Sequence, residues 1–336
     1  MSNPMSNPSQ REAELERFRA DFEALRQEIG KRVVGQAEAV ESVLTAMLVG
    51  GHVLLESPPG LGKTLLARTL PDVVDLTFRR IQCTPDLMPA DVIGTYVIME
   101  SPQGRRTFEF QKGPLFANLV LADQLNRTSP KTQSALLEAM EEEAITVSTE
   151  SFPLPRPYLV VATQNPWEME GTFPLAEAQI DRFLLKAVLK PPSPEELKEI
   201  LSRTTEPPQI RPRKIVDGRR ILEMADLVRR VAMSGQLSQW VVSVILASQP
   251  EEGSAPEPVR RFVRHGASPR GAQAMVLAAK VRAILAGRDE VAQEDLRAAA
   301  HPALRHRVIL NFEGVAERVS PDALIDSILG AHGLSR

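Results

Sequence analysis

The chain has 336 residues, of which 43% are hydrophobic and 25% are charged. Those fractions are typical of a folded globular protein and exclude a fibrous or wholly disordered chain. The 40 Lys and Arg residues stand against 43 Asp and Glu residues, so a net charge of -3 gives no overall basic field for binding nucleic acid. One cysteine excludes a disulfide framework, and the length corresponds to roughly two domains of ~150 residues.

The amino-terminal segment MSNPMSNPSQRE carries none of the usual targeting signals. It is polar, with neither the apolar core of a signal peptide nor the Arg-rich amphipathy of a transit peptide. No apolar run in the sequence reaches the ~18 residues that a membrane span needs, so we expect no membrane insertion. The sequence therefore predicts a cytoplasmic protein whose residues 1–10 form a disordered tail.

An α/β domain is predicted over residues 11–192. Apolar residues recur at helical spacing from Arg11 to Gly30, and two more helices are predicted at Leu65–Leu70 and Thr132–Glu142. Short runs rich in Val, Leu, Ile and Phe predict buried parallel strands at His52–Glu56, Phe78–Cys83, Asn118–Ala122, Tyr158–Thr163 and Phe183–Leu189. This alternation is typical of a three-layer αβα fold with a parallel sheet. Period-two runs at Thr95–Phe110 and Ala144–Pro157 predict two inserted hairpins.

A second, all-helical domain is predicted over residues 193–336. Pro191, Pro192 and Pro194 break any regular element, and the strand-like runs stop there. Helical periodicity then predicts helices at Glu195–Arg203, Arg219–Val231, Ser238–Ser248, Arg270–Ala286, Gln293–Ala300 and Pro321–Leu329.

The segment ESPPGLGKTLLARTL after the first core strand matches most of the phosphate loop G-x-x-x-x-G-K-[ST]. Gly60, Gly62, Lys63 and Thr64 are in place, and Ser57 stands where the first glycine is expected. Backbone N–H groups can still converge on a phosphate at the start of the helix. Lys63 can reach the β and γ oxygens of a bound nucleotide, and Thr64 can bind Mg²⁺.

Two later strands end in polar residues suited to the same site. Asp123 ends the run NLVLAD, where its carboxylate can help to hold Mg²⁺ beside Thr64; taken without the lysine loop, an Asp in this position is more often a helix N-cap. Asn165 ends the run YLVVATQN, where it can orient an attacking water; its alternative role is that of a turn residue before Pro166.

The chain resembles the MoxR-type AAA+ ATPases from VVGQ at 33–36 to LRHRVILNFE at 304–313. The resemblance rests on TPDLMPADVIGT, GPLFANLVLAD, KTQSALLEAMEE, LPRPYLVVATQNP and AQIDRFLLK. It implies an αβα core, a helical lid, ATP and Mg²⁺ bound between them, and a homo-oligomer, commonly a hexameric ring. It also implies work on a client protein, together with a von Willebrand factor A-domain partner. The inserted hairpins would project toward the pore or a client, the alternative being that they only cover the sheet, and Arg105 and Arg106 favour the turn of the first hairpin as the contact point.

The resemblance also assigns roles to residues. Lys63 and Thr64 match Walker A, Asp123 matches the Walker B aspartate, Asn165 matches sensor 1, and Thr64 and Asp123 would hold the metal. The implied nucleotide-binding residues are Val33, Val34, Gly35, Pro59, Gly60, Leu61, Gly62, Lys63, Thr64, Leu65 and Asp123.

Two arginines are also assigned by the resemblance. Arg182 in AQIDRF matches the arginine finger, which reaches the nucleotide of the neighbouring subunit. Arg270 in GASPRGA matches sensor 2, which the lid contributes to the nucleotide of its own subunit.

Gln124 departs from the family, which has a catalytic glutamate after the Walker B aspartate. An amide can hold a water but cannot accept its proton, and general-base catalysis contributes ~10² to 10⁴ in rate. We therefore expect normal binding and slow hydrolysis. Three explanations stay open: a naturally slow ATPase, a base supplied from elsewhere, or an engineered trap. The nearby acidic cluster is interpreted as a solvated helix face, formed by Glu138, Glu141, Glu142 and Glu143.

The sequence is compatible with three functional hypotheses. The first is an ATP-driven, chaperone-like remodelling or maturation factor. The second is a nucleotide-locked ring that acts as a scaffold with little hydrolysis. The third, the DNA motor of related clades, is disfavoured by the net charge of -3 and by an aromatic content of only 4%.

Overall fold

A computed structural model describes residues 8–100, 106–167, 170–205 and 211–333. The helices in these ranges are α1 (Pro8–Gly30), α2 (Ala37–Val49), α3 (Lys63–Val73), α4 (Pro89–Ile93), α5 (Pro130–Glu142), α6 (Glu177–Ile180), α7 (Pro194–Thr205), α8 (Gly218–Arg229), α9 (Gly235–Ala247), α10 (Glu257–Phe262), α11 (Pro269–Leu285), α12 (Gln293–Leu304), α13 (Phe312–Ala316) and α14 (Pro321–Ala331). The strands are β1 (Val53–Glu56), β2 (Val74–Asp75), β3 (Phe78–Gln82), β4 (Gly94–Glu100), β5 (Arg106–Lys112), β6 (Leu119–Asp123), β7 (Ala144–Val147), β8 (Glu150–Pro153), β9 (Leu159–Gln164), β10 (Leu185–Val188), β11 (Val216–Asp217), β12 (Val263–His265) and β13 (Ile309–Leu310).

The central sheet contains five parallel strands in the order β10-β1-β9-β6-β3. These are the five strands that the apolar runs predict, so the α/β fold class is confirmed. Glu56 pairs with Gln164, and Gln82 pairs with Asp123, which brings the carboxyl ends of these strands to one edge of the sheet. We call this the carboxyl edge, and the opposite one the amino edge.

Helix α1 begins earlier than predicted. It starts at Pro8, so residues 8–10 belong to the helix and the prediction of a tail through residue 10 is wrong for them. Leu15 and the apolar residues that follow it at helical spacing are buried. Their packing stabilises the helix, including its first turn at residues 8–10. Across the described ranges, no helix is both long enough and apolar enough to cross a bilayer.

Helix α2 was not predicted, because it is apolar on nearly all sides and therefore shows no clear period. It packs between the sheet strand β10 and helix α8. It ends at Gly50, whose φ of 73° is the left-handed conformation that glycine adopts at low cost.

The lid region begins with α7, close to the predicted division at residue 193, which stays a prediction. The region is not all helical. Strands β12 and β13 form a small antiparallel pair, and β11 pairs in parallel with β2 of the core. These strands have only two or three residues each, too few to show a period in the sequence.

Both predicted hairpins are present, as β4-β5 and β7-β8. Phe110 of the first stacks on Phe152 of the second, with ring centroids 4.7 Å apart. The Tyr96 hydroxyl of the first donates a hydrogen bond to Glu150 of the second at 3.0 Å. The second hairpin thus braces the base of the first. The turn predicted at residues 101–104, with Arg105, lies outside the described residues.

Candidate nucleotide site

The phosphate loop joins β1 to helix α3 at the carboxyl edge. Gly60 and Gly62 have φ values of 87° and 88°, which favour glycine, and no atom lies within 4 Å of where their side chains would stand. Helix α3 starts at Lys63, so its first backbone N–H groups point into this open space. The loop is therefore a concave cradle of N–H donors at a helix N-terminus, the arrangement that binds phosphate.

Lys63 lies folded over the loop. Its Nζ donates to Ser57 Oγ at 2.9 Å and to the Pro58 carbonyl oxygen at 3.0 Å, and it also contacts the Ser57 carbonyl oxygen. Desolvation lowers the pKa of Lys63, while the negative charges of Asp123 and Glu56 oppose that change. Ser57 is buried, and its hydroxyl gives this ammonium a side-chain acceptor that glycine would lack.

Asp123 is the centre of the polar network at the carboxyl edge. It is only 4% exposed, and Thr64 Oγ1 donates to its Oδ1 at 3.1 Å. Thr163 Oγ1 donates to the same oxygen at 2.9 Å, and Arg80 Nη2 donates to Oδ2 at 2.7 Å. The predicted pair of Thr64 and Asp123 is thus in direct contact. Thr163 and Arg80 were not predicted as site residues, although each lies near the carboxyl end of a strand that pairs with β6.

Gln124 and Asn165 follow Asp123 and β9 at the same edge. Gln124 has a left-handed φ of 63°, and its backbone N–H donates to Thr163 Oγ1 at 2.8 Å. The Asn165 carbonyl oxygen accepts from Asn126 Nδ2 at 3.2 Å. Since β9 lies between β1 and β6, Asn165 stands between the phosphate loop and Asp123. The structure therefore gathers the predicted Walker A, Walker B and sensor 1 residues at one edge.

These residues fit a magnesium-bound triphosphate. A threonine hydroxyl and a carboxylate in contact are hard oxygen ligands of the kind that Mg²⁺ prefers. The open cradle and Lys63 match the negative charge of the phosphates.

The segment Val33–Gly35 lies against the start of the lid. Gly35 has a φ of 74°, and a side chain there would meet the carboxylate of Glu196 on α7. The next residue, Gln36, donates through Nε2 to the Lys190 carbonyl oxygen at 2.9 Å. The predicted adenine-binding segment thus contacts the connection between core and lid, so a change in the position of the lid would move this segment.

Arg182 and Arg270 lie at the amino edge. Arg182 comes three residues before Leu185, the first residue of β10, and Leu185 pairs with Val53 at the start of β1. One carboxylate of α5, Glu141, contacts both arginines: the distance to Arg182 Nη1 is 2.8 Å, and Arg270 Nη2 also reaches it.

This placement corrects the expectation that Arg270 serves the nucleotide of its own subunit. The phosphate loop follows the carboxyl end of β1, so the sheet separates it from Arg270. Arg270 lies there because the lid docks on the core through Arg307. Its Nε lies 2.7 Å from Asp181 Oδ1, and its Nη2 donates to the Phe183 carbonyl oxygen. Glu141 is exposed, as expected for a solvated helix face, and it also bridges the two arginines.

The fold and this site define a P-loop ATPase core with a helical lid. Residues 52–185 match the model of the ATPase family associated with various cellular activities, and residues 259–328 match the AAA lid domain. The chain is 42% identical to the chaperone MoxR1 of Mycobacterium tuberculosis, over 90% of this chain and 79% of that protein. It is 30% identical to the protein MoxR of Methylorubrum extorquens, over 88% and 90% of the two chains. The chain belongs to the MoxR-type AAA+ ATPases.

A solved structure supports the same assignment. The crystal structure of a candidate ATPase from Cytophaga hutchinsonii has 38% sequence identity to this chain and a TM-score of 0.88. The match covers 98% of this chain and 99% of that one, so it includes the lid as well as the core.

Proposed function

We propose that this protein binds ATP with Mg²⁺, hydrolyses it slowly and uses the cycle to remodel or mature a client protein as a chaperone-like factor. The observation that carries the proposal is the contact between Thr64 and Asp123 beside an open phosphate loop. Membership of the MoxR-type family supports it, because one relative named as a chaperone is similar over 90% of the chain.

The chemistry at the carboxyl edge follows from the residues there. Lys63 exchanges its loop acceptors for phosphate oxygens, while the loop N–H groups hold the β-phosphate. Thr64 and Asp123 hold Mg²⁺, which when bound neutralises charge on the transferred phosphoryl group. Asn165 and Gln124 orient the attacking water.

Slow turnover follows from Gln124. Its amide oxygen can accept a hydrogen bond from water but has no basicity with which to remove a proton, so this residue contributes orientation of the water and no general-base catalysis. The backbone of Gln124, the residue after Asp123, is anchored by the hydrogen bond from its N–H to Thr163 Oγ1. Binding of ATP needs none of this chemistry and stays intact.

The two arginines favour assembly into a ring, which we propose to be hexameric. Arg182 and Arg270 stand at the opposite edge of the sheet from Lys63, so a second copy must supply these cations to each nucleotide. In the assembled ring they stabilise the negative charge that develops during phosphoryl transfer. Glu141 keeps both guanidinium groups on the same surface.

The first hairpin is the proposed contact with the client. Ile98 and Phe108 are cross-strand partners, and the Phe108 side chain is 74% exposed beyond the braced aromatic base. An exposed apolar pair of this kind suits an unfolded or partly folded protein segment. The proposed setting is the cytoplasm, with a von Willebrand factor A-domain protein as a co-acting partner.

A scaffold ring that stays in its ATP state is the second candidate, because Gln124 lacks a basic oxygen. The discriminating measurement is phosphate release by the unmodified chain under saturating ATP and Mg²⁺. Measurable steady turnover, even slow, supports the remodelling cycle. Tight binding with no release beyond the first turnover favours the scaffold.

The experiment that tests the proposal combines size measurement with ATP binding. We expect saturable binding of a fluorescent ATP analogue with Mg²⁺ and a nucleotide-dependent increase in particle mass. Lys63→Ala should abolish the binding, and Arg68→Ala, an exposed change on the same helix, should leave it intact. Absence of a saturable complex at millimolar ATP and Mg²⁺ would overturn the proposal.

A further inference from the structure

Arg80 makes the closest charged contact of Asp123 among the described residues. Its Nη2 and Nε both donate to Asp123 Oδ2, at 2.7 Å and 3.1 Å. The other oxygen, Oδ1, accepts from Thr163 at 2.9 Å and from Thr64 at 3.1 Å. Oδ2 thus carries the cation and a longer hydrogen bond from Thr64 at 3.3 Å, while Oδ1 accepts only from the two hydroxyl groups among the described contacts.

A carboxylate as deeply buried as Asp123 needs a compensating positive charge. Removing an ion from water costs several kcal/mol unless a partner of opposite charge and hydrogen bonds replace the solvent. The guanidinium of Arg80 supplies both, since a forked pair of N–H groups is well matched to a carboxylate oxygen. Mg²⁺ would supply the same compensation, but its octahedral shell accepts oxygen ligands and has no place for an N–H donor.

The position of Arg80 allows it to leave Asp123. It lies on β3, two residues before Gln82, which is the direct register partner of Asp123, so its side chain reaches forward along the strand. The side chain is 32% exposed, and its Nη2 also contacts Gln82 Oε1. When the guanidinium moves away from Asp123, solvent and Gln82 remain as its partners.

We propose that Arg80 competes with Mg²⁺ for Asp123 and sets the Mg²⁺ concentration at which the site fills. The proposal rests on the function proposed above, in which Asp123 holds the metal. Arg80 satisfies the buried carboxylate when the metal is released, and the metal must displace it to bind. Arg80 is thus a positioning residue that raises the threshold for Mg²⁺ without touching the reacting phosphate.

The test measures Mg²⁺ dependence by binding. A fluorescent ATP analogue is held at a fixed concentration, Mg²⁺ is titrated, and the Mg²⁺ concentration at half-saturation is recorded for the full chain and its variants. Arg80→Gln should lower that concentration at least threefold, because Asp123 loses its internal competitor. The same variant in EDTA should have a lower melting temperature, because its buried carboxylate has then lost both the guanidinium that pairs with it and the metal.

Arg79→Gln is the matched control. Arg79 is the preceding residue on β3, is exposed, and its Nη1 donates to the Phe78 carbonyl oxygen at 3.2 Å. It carries the same charge, so an effect of net charge alone would appear in both variants. We expect the half-saturation value of Arg79→Gln to stay within twofold of the unmodified chain.

A second variant keeps the proposal falsifiable if Arg80→Gln does not fold. Arg80→Lys retains the charge but not the forked donor, so its half-saturation value should also fall, by less than that of Arg80→Gln. An unchanged or higher value in either folded variant overturns the competition and makes Arg80 a support of the metal site. Failure of the unmodified chain to bind the analogue at any Mg²⁺ concentration instead overturns the proposed function itself.

Discussion

The two edges of the central sheet differ in chemistry and in what holds them. The carboxyl edge carries short polar groups on strand ends, with Thr64 and Thr163 both bonded to a buried Asp123. The amino edge carries two long cations, Arg182 and Arg270, held by one partly exposed glutamate. In the proposed function, one edge binds phosphate and metal, and the other delivers positive charge. Since a sheet keeps them apart, the two edges act in the proposed ring as complementary half-sites that a second copy joins.

Removing Arg182 tests this division most strongly. In a Gln124→Glu background, where turnover is fast enough to follow, Arg182→Ala should lower steady-state phosphate release by about 10³. Affinity for the nucleotide should change by less than about threefold, because Arg182 is remote from the phosphate loop of its own chain. The measurements are phosphate release and titration with a fluorescent ATP analogue.

Mixing two inactive variants shows whether the half-sites join between copies. Arg182→Ala subunits keep an intact carboxyl edge, and Lys63→Ala subunits keep an intact amino edge. Mixed rings should recover part of the activity that each variant lacks alone. Absence of recovery in rings shown to be mixed would contradict the division.

The amino edge should also depend on pH, through His52. Its Nδ1 accepts from the Val160 N–H at 3.0 Å, and its Nε2 lies 3.1 Å from the Met140 carbonyl oxygen, next to Glu141 in the chain. Burial lowers the pKa of His52 to about 4, from an ordinary value of 6.5. The folded state thus binds fewer protons than the unfolded state between these values, so the stability that His52 gives is complete above pH 6.5 and is lost as the pH falls.

We expect this histidine to cost ~2 kcal/mol of unfolding free energy between pH 7 and pH 5. His52→Gln, which is uncharged throughout, should reduce the loss by that amount in urea unfolding at the two pH values. His306 is also buried with a lowered pKa, but it is unchanged in the comparison and its contribution cancels. Parallel losses in both proteins would show that His52 does not remain neutral.

Gln124→Glu tests the catalytic role of the carboxyl edge. The new carboxylate restores a proton acceptor at the carboxyl edge, so phosphate release should rise at least tenfold, a lower bound set below the ~10² to 10⁴ that general-base catalysis contributes. Nucleotide affinity should stay within about twofold, since the loop and Lys63 are unchanged. Equal turnover by the two forms would remove position 124 as the source of slow hydrolysis.

The sequence predicted the carboxyl edge better than the amino edge, for a physical reason. Lys63, Thr64 and Asp123 are fixed by a short loop and by strand ends, so local spacing is enough to bring them together. Arg270 depends on how the lid docks, which is set by Arg307 with Asp181 and Phe183 more than a hundred residues away in the chain. Arg80 was missed because a charged residue on an alternating strand gives no sign of which partner it will meet.

The smallest effect is expected at Glu141, the link between the two arginines. Its ion pairs are partly exposed, and exposed pairs contribute ~1 kcal/mol or less, so Glu141→Gln should lower the unfolding free energy by no more than that. Glu142→Gln, the exposed neighbour on the same helix, is the control and should change stability by still less. If Glu141 only holds the arginines until a neighbouring nucleotide takes them, phosphate release by the assembled ring should stay within about threefold of the unmodified chain. A loss as large as that of Arg182→Ala would instead show that Glu141 orients the arginines during the reaction, and the amino edge would then be as preorganised as the carboxyl edge.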